Sequence, residues 1–249
     1  MQGIFIVFEG GDGVGKSTQA ALLAEWLDAR GREVVRTFEP GDGPVNAQIR
    51  HILLSRSTEN LSPRAEALLF AADKAQHVAS LVLPALDRGA VVVSDRYVDS
   101  TLAYQGAGRV LDMGEVERMN RWATDELRPD LTVLLDLDPT MGLAGIAEAD
   151  RMESAGDDFH ARVRAGFLEQ AERDPARYLV LPARDSRAAI ADAVRARVAE
   201  LLDPDADAEG PDVSRRGLLG ALFAPESRPD EASVDPLREM SDAAGRLAP

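Results

Sequence analysis

The sequence predicts an α/β fold built on a parallel sheet with helices on both faces. Three observations predict it. Short apolar runs rich in β-branched residues alternate with helical stretches over roughly residues 1–202. The runs are continuous rather than alternating, as in strands buried on both faces. A glycine-rich turn joins the first run to the first helix, a common strand-to-helix connection in such folds.

Ile4-Phe5-Ile6-Val7-Phe8 reads as the first buried strand. From Lys16, Leu22, Leu23, Trp26 and Leu27 recur at helical spacing, and Gly31 closes the helix. Val34-Val35 lies in a second strand ending near Phe38. Ile49, Ile52 and Leu53 mark a short helix. Ser62-Pro63 reads as an N-cap followed by proline in the first turn. The helix after it carries Leu68, Leu69, Ala72, Ala75, Val82 and Leu86. Ala90 to Val93 is a third strand, ending at Ser94-Asp95, and helix returns from Met113 to Glu126. Leu131 to Leu137 is a fourth strand. Helices are expected over 157–173 and 186–202, with a strand at Tyr178–Leu181 between them. No internal repeat is apparent.

Composition changes after Leu202. Residues 203–249 hold 6 of the 14 prolines, with 11 acidic and 5 basic residues. This predicts an acidic, proline-rich, disordered tail. Within it, Ser214 to Phe223 ("SRRGLLGALF") is a basic-apolar island. It reads either as a transient helix without a role or as a docking segment for a partner at 214–223.

The chain's net charge of -15 argues against a broad nucleic-acid-binding surface, which needs Lys and Arg to neutralise phosphates. With no cysteine, neither disulfides nor thiolate–metal sites are available. The first apolar run is too short for a secretory signal, and no stretch has the length of a membrane-spanning helix. The expected setting is the cytoplasm, without membrane or nucleic-acid partners.

Gly10-x-x-x-x-Gly15-Lys16-Ser17 has Walker A spacing and lies between a predicted strand and a predicted helix. Glycines let the backbone curl so that successive N–H groups face phosphate oxygens, and the helix adds its positive dipole end. Gly10, Gly11, Asp12, Gly13, Val14, Gly15, Lys16, Ser17 and Thr18 are therefore the expected ATP-binding residues. Lys16 is a mobile charge for the β- and γ-phosphates, and Ser17 offers a hydroxyl to Mg²⁺. The motif alone leaves a GTPase, motor, partition ATPase or small-molecule kinase open. A guanine-reading NKxD segment is absent, and the lysine diagnostic of partition ATPases would fall at Gly11.

In "VVVSDRY", Val91 to Tyr97, a strand delivers Asp95 and Arg96 to its carboxyl end, where parallel sheets build their sites. Asp95 can hold magnesium, and Arg96 can grip a phosphate with two parallel donors. On the helix after Pro63, Phe70 and Lys74 are four apart and share one face. They pair a flat apolar platform with a cation.

These segments resemble the thymidylate kinase (dTMP kinase) family of nucleoside monophosphate kinases. The resemblance rests on "FEGGDGVGKSTQ" (8–19), "FEPGDG" (38–43), "AEALLFAADKAQH" (65–77), "SDRYVDSTLAYQGAGR" (94–109) and "RPDLTVLLDLDP" (128–139), with a weaker match over 150–167. It covers about residues 1–200 and excludes the tail. It implies a P-loop kinase fold with a five-stranded parallel sheet, a homodimer, and Mg·ATP-dependent phosphorylation of dTMP. On that resemblance, Asp12, Lys16, Ser17 and Asp95 belong to the ATP, metal and transfer site, and Arg50 and Arg96 hold the acceptor's phosphate. Phe70 stacks on the base, while Thr101, Gln105 and Lys74 reach its edge. Tyr104 presses on the sugar and disfavours a ribose 2′-hydroxyl. Glu39, Pro40 and Leu53 wall the acceptor pocket.

Three positions depart from the family pattern. Phe38 replaces the arginine of the usual "REPG", Lys74 replaces the base-reading arginine, and Gly13 stands where some members carry a P-loop arginine. The lid, about 143–156, must then supply the catalytic cation. Arg151 is the expected candidate, with Arg162 and Arg164 as reserves. These departures admit two alternatives to a dTMP kinase. One is a kinase for a modified deoxyuridylate or another deoxynucleotide. The other is a weakly catalytic nucleotide-binding protein that recruits a partner through its tail.

Overall fold

A computed structural model of the chain describes residues 3–58, 60–139 and 151–202. Most of the expected lid, and the whole segment 203–249 with its 214–223 island, lie outside the described residues.

Five strands form one parallel sheet: β1 (Ile4–Gly10), β2 (Val34–Phe38), β3 (Val91–Asp95), β4 (Leu131–Asp136) and β5 (Tyr178–Pro182). Their order across the sheet is β2-β3-β1-β4-β5. The helices are α1 (Lys16–Asp28), α2 (Pro44–Leu54), α3 (Pro63–His77), α4 (Leu83–Asp87), α5 (Val98–Thr101), α6 (Met113–Ala123), α7 (Asp157–Arg173) and α8 (Arg187–Leu202). π-helical turns at Val78–Val82 and Leu102–Gly108 join α3 to α4 and extend α5.

The period-2 geometry of β1 explains the layering. Ile6 and Phe8 join Leu23 and Leu27 of α1 and Val194 and Val198 of α8 in one core. Phe5 and Val7 face the other way, packing with Val78, Val82 and Tyr97. All four β1 residues are fully buried, as their unbroken apolar run requires. A third core packs Phe159, Val163 and Phe167 of α7 against Ala103 and Tyr104 of the second π turn.

Ser62 caps α3 as expected, accepting from Ala65 N–H at 3.3 Å. The helix expected to reach Glu126 stops at Ala123, because Asp125 and Glu126 take left-handed backbone conformations. The register aligns Phe8 with Asp95 and Gly10 with Leu135, so the loops after β1, β3 and β4 emerge on one sheet end. With β1 between β3 and β4, those loops are neighbours in space.

Candidate active site

The loop after β1 is shaped by its glycines. Gly10 has φ +132°, and a Cβ there would sit 2.4 Å from the Leu135 carbonyl oxygen. Gly15 enters α1 at φ +93°. Both positions favour glycine strongly. Lys16, which starts α1, folds back so that Nζ donates to the Gly10 carbonyl at 3.2 Å and also to that of Gly11. Burial and the charge of Arg96 push its ammonium down to about 8, against the pull of Asp12 and Asp95. Ser17 Oγ donates to Asp95 Oδ2 across the gap between α1 and β3.

Arg96 follows β3 at φ +74°, an uncommon conformation for a residue with a side chain. Its backbone N–H is held by the Phe8 carbonyl at 2.9 Å. Its guanidinium pairs with Asp12 and donates to the Gly10 carbonyl and to Ser100 Oγ, both at 3.0 Å. Tyr104 Oη donates to the other Asp12 oxygen at 2.7 Å. Burial alone would raise the Asp12 pKa; Arg96, Lys16 and Tyr104 outweigh it and hold the carboxyl below its usual range.

Beneath this arginine lies Glu9, fully buried. It accepts the backbone N–H groups of Tyr97 (2.8 Å) and Ser100 (3.0 Å), and the Ser100 hydroxyl (2.6 Å). Burial, then the charge of Asp99, pushes Glu9 up to about 7.

A cavity of about 160 Å³ opens beside the loop. Asp12, Arg96 and Tyr104 line the end nearest the Walker loop, and Glu39, Pro40 and Arg50 line another wall. Phe70, Lys74, Thr101 and Gln105 also face it. Arg50 donates to the Pro40 carbonyl, and its guanidinium lies 5.6 Å from the Phe38 ring centroid. Thus the residue standing in place of the family's arginine flanks Arg50, a cavity-lining arginine. Lys74 Nζ lies 5.7 Å from the Phe70 centroid, consistent with the shared helix face read from the sequence. Thr101 Oγ1 is buried and finds no hydrogen-bond partner among the described residues.

Several expected roles meet a different geometry. Leu53 is fully buried, and its neighbour Leu54 lines the cavity instead. The one-residue shift follows from helix phase, since successive side chains of α2 point about 100° apart. Arg151, expected at the transfer centre, is bound elsewhere. Its Nε donates to the Leu53 carbonyl at 2.8 Å and its Nη1 lies 2.6 Å from Glu66 Oε2. Of the reserves, Arg162 donates to the Gly108 carbonyl and Arg164 forks onto Asp136 at 2.7 and 2.8 Å. Asp12 turns its carboxylate onto Arg96 and Tyr104 rather than beside Ser17.

Magnesium fits this chemistry through few protein ligands. The Ser17 hydroxyl and Asp95 carboxylate are hard oxygen donors already adjacent, and such a cation takes the rest of its shell from water and phosphate. Among the described residues no cluster of three or more acidic or imidazole groups forms a protein-only metal cage.

Sequence reasoning missed Glu9, Ser100, Glu66 and Arg109. Glu9 lies inside an apolar strand and Glu66 on a helix, and nothing local marks either as a hub.

A phosphate-cradling loop on a parallel sheet, facing an arginine-lined acceptor cavity, defines a P-loop kinase of small phosphorylated acceptors. The comparisons narrow this class. The thymidylate kinase family model matches residues 8–194. The thymidylate kinase of Cutibacterium acnes is 58% identical over 203 residues, covering 82% of this chain and 100% of the relative. That of Clavibacter michiganensis subsp. michiganensis is 54% identical over 212 residues, covering 84% and 100%. The crystal structure of thymidylate kinase from Ehrlichia chaffeensis superposes with a TM-score of 0.66 at 32% identity, over 80% of this chain and 99% of that one. The chain belongs to the thymidylate kinase family.

Proposed function

We propose that this protein transfers the γ-phosphoryl group of ATP to the 5′-phosphate of dTMP, giving dTDP. The observation that carries the reading is the shared wall between its two anion sites. Asp12 lies in the Walker loop, lines the acceptor cavity and holds Arg96, which itself touches the Gly10 carbonyl. A phosphate gripped by Arg96 would therefore lie next to the loop that cradles ATP, as in-line transfer demands. The names of the relatives support thymidylate over the altered-acceptor and non-catalytic readings.

In the proposed mechanism, the loop amides and Lys16 bind the triphosphate. Magnesium, when bound at Ser17 and Asp95, would neutralise phosphate charge. Arg50 and Arg96 orient the acceptor so that a phosphate oxygen, already anionic at neutral pH, faces the γ-phosphorus. No strong general base is required. Phe70 offers a face for the base, and Lys74, Thr101 and Gln105 surround its polar edge. Tyr104, fixed by Asp12, occupies the sugar's side of the cavity and disfavours a 2′-hydroxyl.

We further infer a cytoplasmic homodimer from the family resemblance. The neighbouring helices α3 and α6 carry exposed apolar side chains, Leu68 at 59% and Trp122 at 86% exposure, consistent with a subunit contact. Among the described residues no helix is long and apolar enough to cross a membrane.

The decisive assay supplies ATP and Mg²⁺ with dTMP, dUMP, 5-substituted dUMP, dCMP, dGMP and the ribonucleotide TMP. Preferred turnover of dTMP is expected. Tight ATP binding with transfer to none of them would overturn the reading.

A further inference from the structure

Glu66 of α3 is 1% exposed and does not line the acceptor cavity, yet three side chains from two segments converge on it, among them the cavity-lining Gln105. Its Oε1 accepts Gln105 Nε2 and Arg109 Nε, each at 3.0 Å. Its Oε2 accepts Arg109 Nη2 at 3.2 Å and lies 2.6 Å from Arg151 Nη1. Burial would raise this carboxyl's pKa, but the donors from Arg109, Gln105 and Arg151 outweigh it and hold Glu66 below its usual range.

An ionised carboxylate only accepts hydrogen bonds. The group of Gln105 facing Glu66 must therefore be its NH₂. With one N–H of that amide held on Glu66, the carbonyl Oε1 is the amide's acceptor end, turned from Glu66, that can serve the cavity Gln105 lines. We infer that Glu66 is a positioning residue that locks the Gln105 amide with its acceptor toward the base, selecting pyrimidines that carry a hydrogen on N3. Thymine and uracil offer N3–H to that oxygen. Cytosine offers an N3 lone pair, which would leave two acceptors face to face and unpaired. Arg109 and Arg151 hold the carboxylate ionised and in place. Arg109 is itself fixed over the Phe159 ring, 4.7 Å from its centroid. The inference rests on the proposed dTMP kinase activity and names a determinant of its base choice.

The test compares dTMP with 5-methyl-dCMP, which keeps the methyl group and inverts the N3 and 4-position pattern. A glutamine at 66 can donate as well as accept, so E66Q frees the Gln105 amide to turn. Lys74 pairs with Glu39 and not Glu66, so its preference at the 4-position is untouched. The ratio of kcat/KM for dTMP over 5-methyl-dCMP is expected to fall at least tenfold in E66Q, with the KM for ATP unchanged. E66D keeps an acceptor-only carboxylate and is expected to restore the ratio to within threefold of wild type. A ratio unchanged in E66Q, with both rates falling together, would reduce Glu66 to a structural brace and overturn the inference. A crystal structure of the wild-type dTMP complex is the variant-independent arm. Gln105 Oε1 should meet N3 while Nε2 stays on Glu66, and an amide turned the other way or out of reach of N3 overturns the proposal even if E66Q does not fold. A wild-type chain inactive on dTMP would instead overturn the proposed function, and this inference with it. Active wild type with an unaltered ratio overturns this inference alone.

Discussion

Lys74 Nζ lies 3.1 Å from Glu39 Oε2, and both side chains are 2% exposed. The cation that lines the cavity beside Phe70 is thus already paired. Glu39 is held from a second direction by His77 Nδ1 at 2.8 Å. Burial would raise Glu39, but Lys74 and His77 together keep its pKa below the usual range. An ammonium presents its three donors from one point on a flexible stem, whereas a guanidinium spreads five over a rigid fork that can reach Glu39 and a base at once. K74R is therefore expected to keep the Glu39 pair and raise the preference for dTMP over dCMP by several-fold. Acceptor competition assays read this directly. An unchanged ranking of acceptors would mean that Lys74 serves Glu39 and does not read the base.

Much of the scaffold could be read locally. Buried strands announce themselves as β-branched runs, and the Walker loop and the Ser62 cap each occupy a few adjacent residues. What could not be read depends on contacts between distant residues. The π turn at Leu102–Gly108 is packed by Gly106 against Met113 and Gly108 against Phe159, where any Cβ would clash. Helical periodicity carries no sign of it. The residues expected at the acceptor site, several of which line one cavity, came from family resemblance, since spacing alone gave Phe70 and Lys74 no more than a shared face. Their constraints stayed hidden for the same reason: Lys74 is bound by a residue from the β2–α2 connection, and Arg151 by one on α3.

Arg96 is held by Asp12, Ser100 and the Gly10 carbonyl before any ligand arrives. Such preorganisation lowers the cost of fixing an acceptor phosphate. R96A removes that grip and leaves Asp12 without its strongest counter-charge. We expect kcat/KM to fall by roughly 10²-fold or more for every monophosphate acceptor, because a phosphate contact ignores the base. Steady-state kinetics with dTMP, dUMP and dCMP checks this. Selective loss of one base would contradict the assignment. K16A, by contrast, should abolish turnover with all of them.

The Arg151 guanidinium is occupied by the Leu53 carbonyl and by Glu66. Both partners lie just behind the cavity wall, next to the lining residues Leu54 and Gln105. R151A is expected to raise the KM for dTMP about tenfold while changing kcat by no more than a few-fold, as when ground-state and transition-state binding are lost equally. A fall in kcat of about 10³-fold with the dTMP KM unchanged would instead place this arginine at the transferring phosphoryl group.

Glu9 provides the pH test. Its pKa is raised from 4.5 to about 7, chiefly by burial and next by Asp99. The folded chain thus binds this proton more tightly than the unfolded chain. The resulting stability is fully present below about pH 4.5 and is lost as pH rises through about 7. Asp12, Glu39 and Glu66, whose pKa values are lowered, act oppositely and lose their contribution as pH falls through their folded values. Asp73, raised to about 6, slopes the same way as Glu9, so wild type alone cannot separate the two. The difference between wild type and E9Q does separate them, because every other group is common to both. Glutamine resembles the protonated acid and has no proton to lose in this window. We expect wild type to lose stability relative to E9Q between pH 5 and pH 8, by up to about 3 kcal/mol for a shift of this size. Urea unfolding of both proteins at the two pH values measures it. Parallel pH profiles would show that Glu9 is ionised in the folded chain throughout, with Ser100 and the two backbone N–H groups it accepts offsetting its burial.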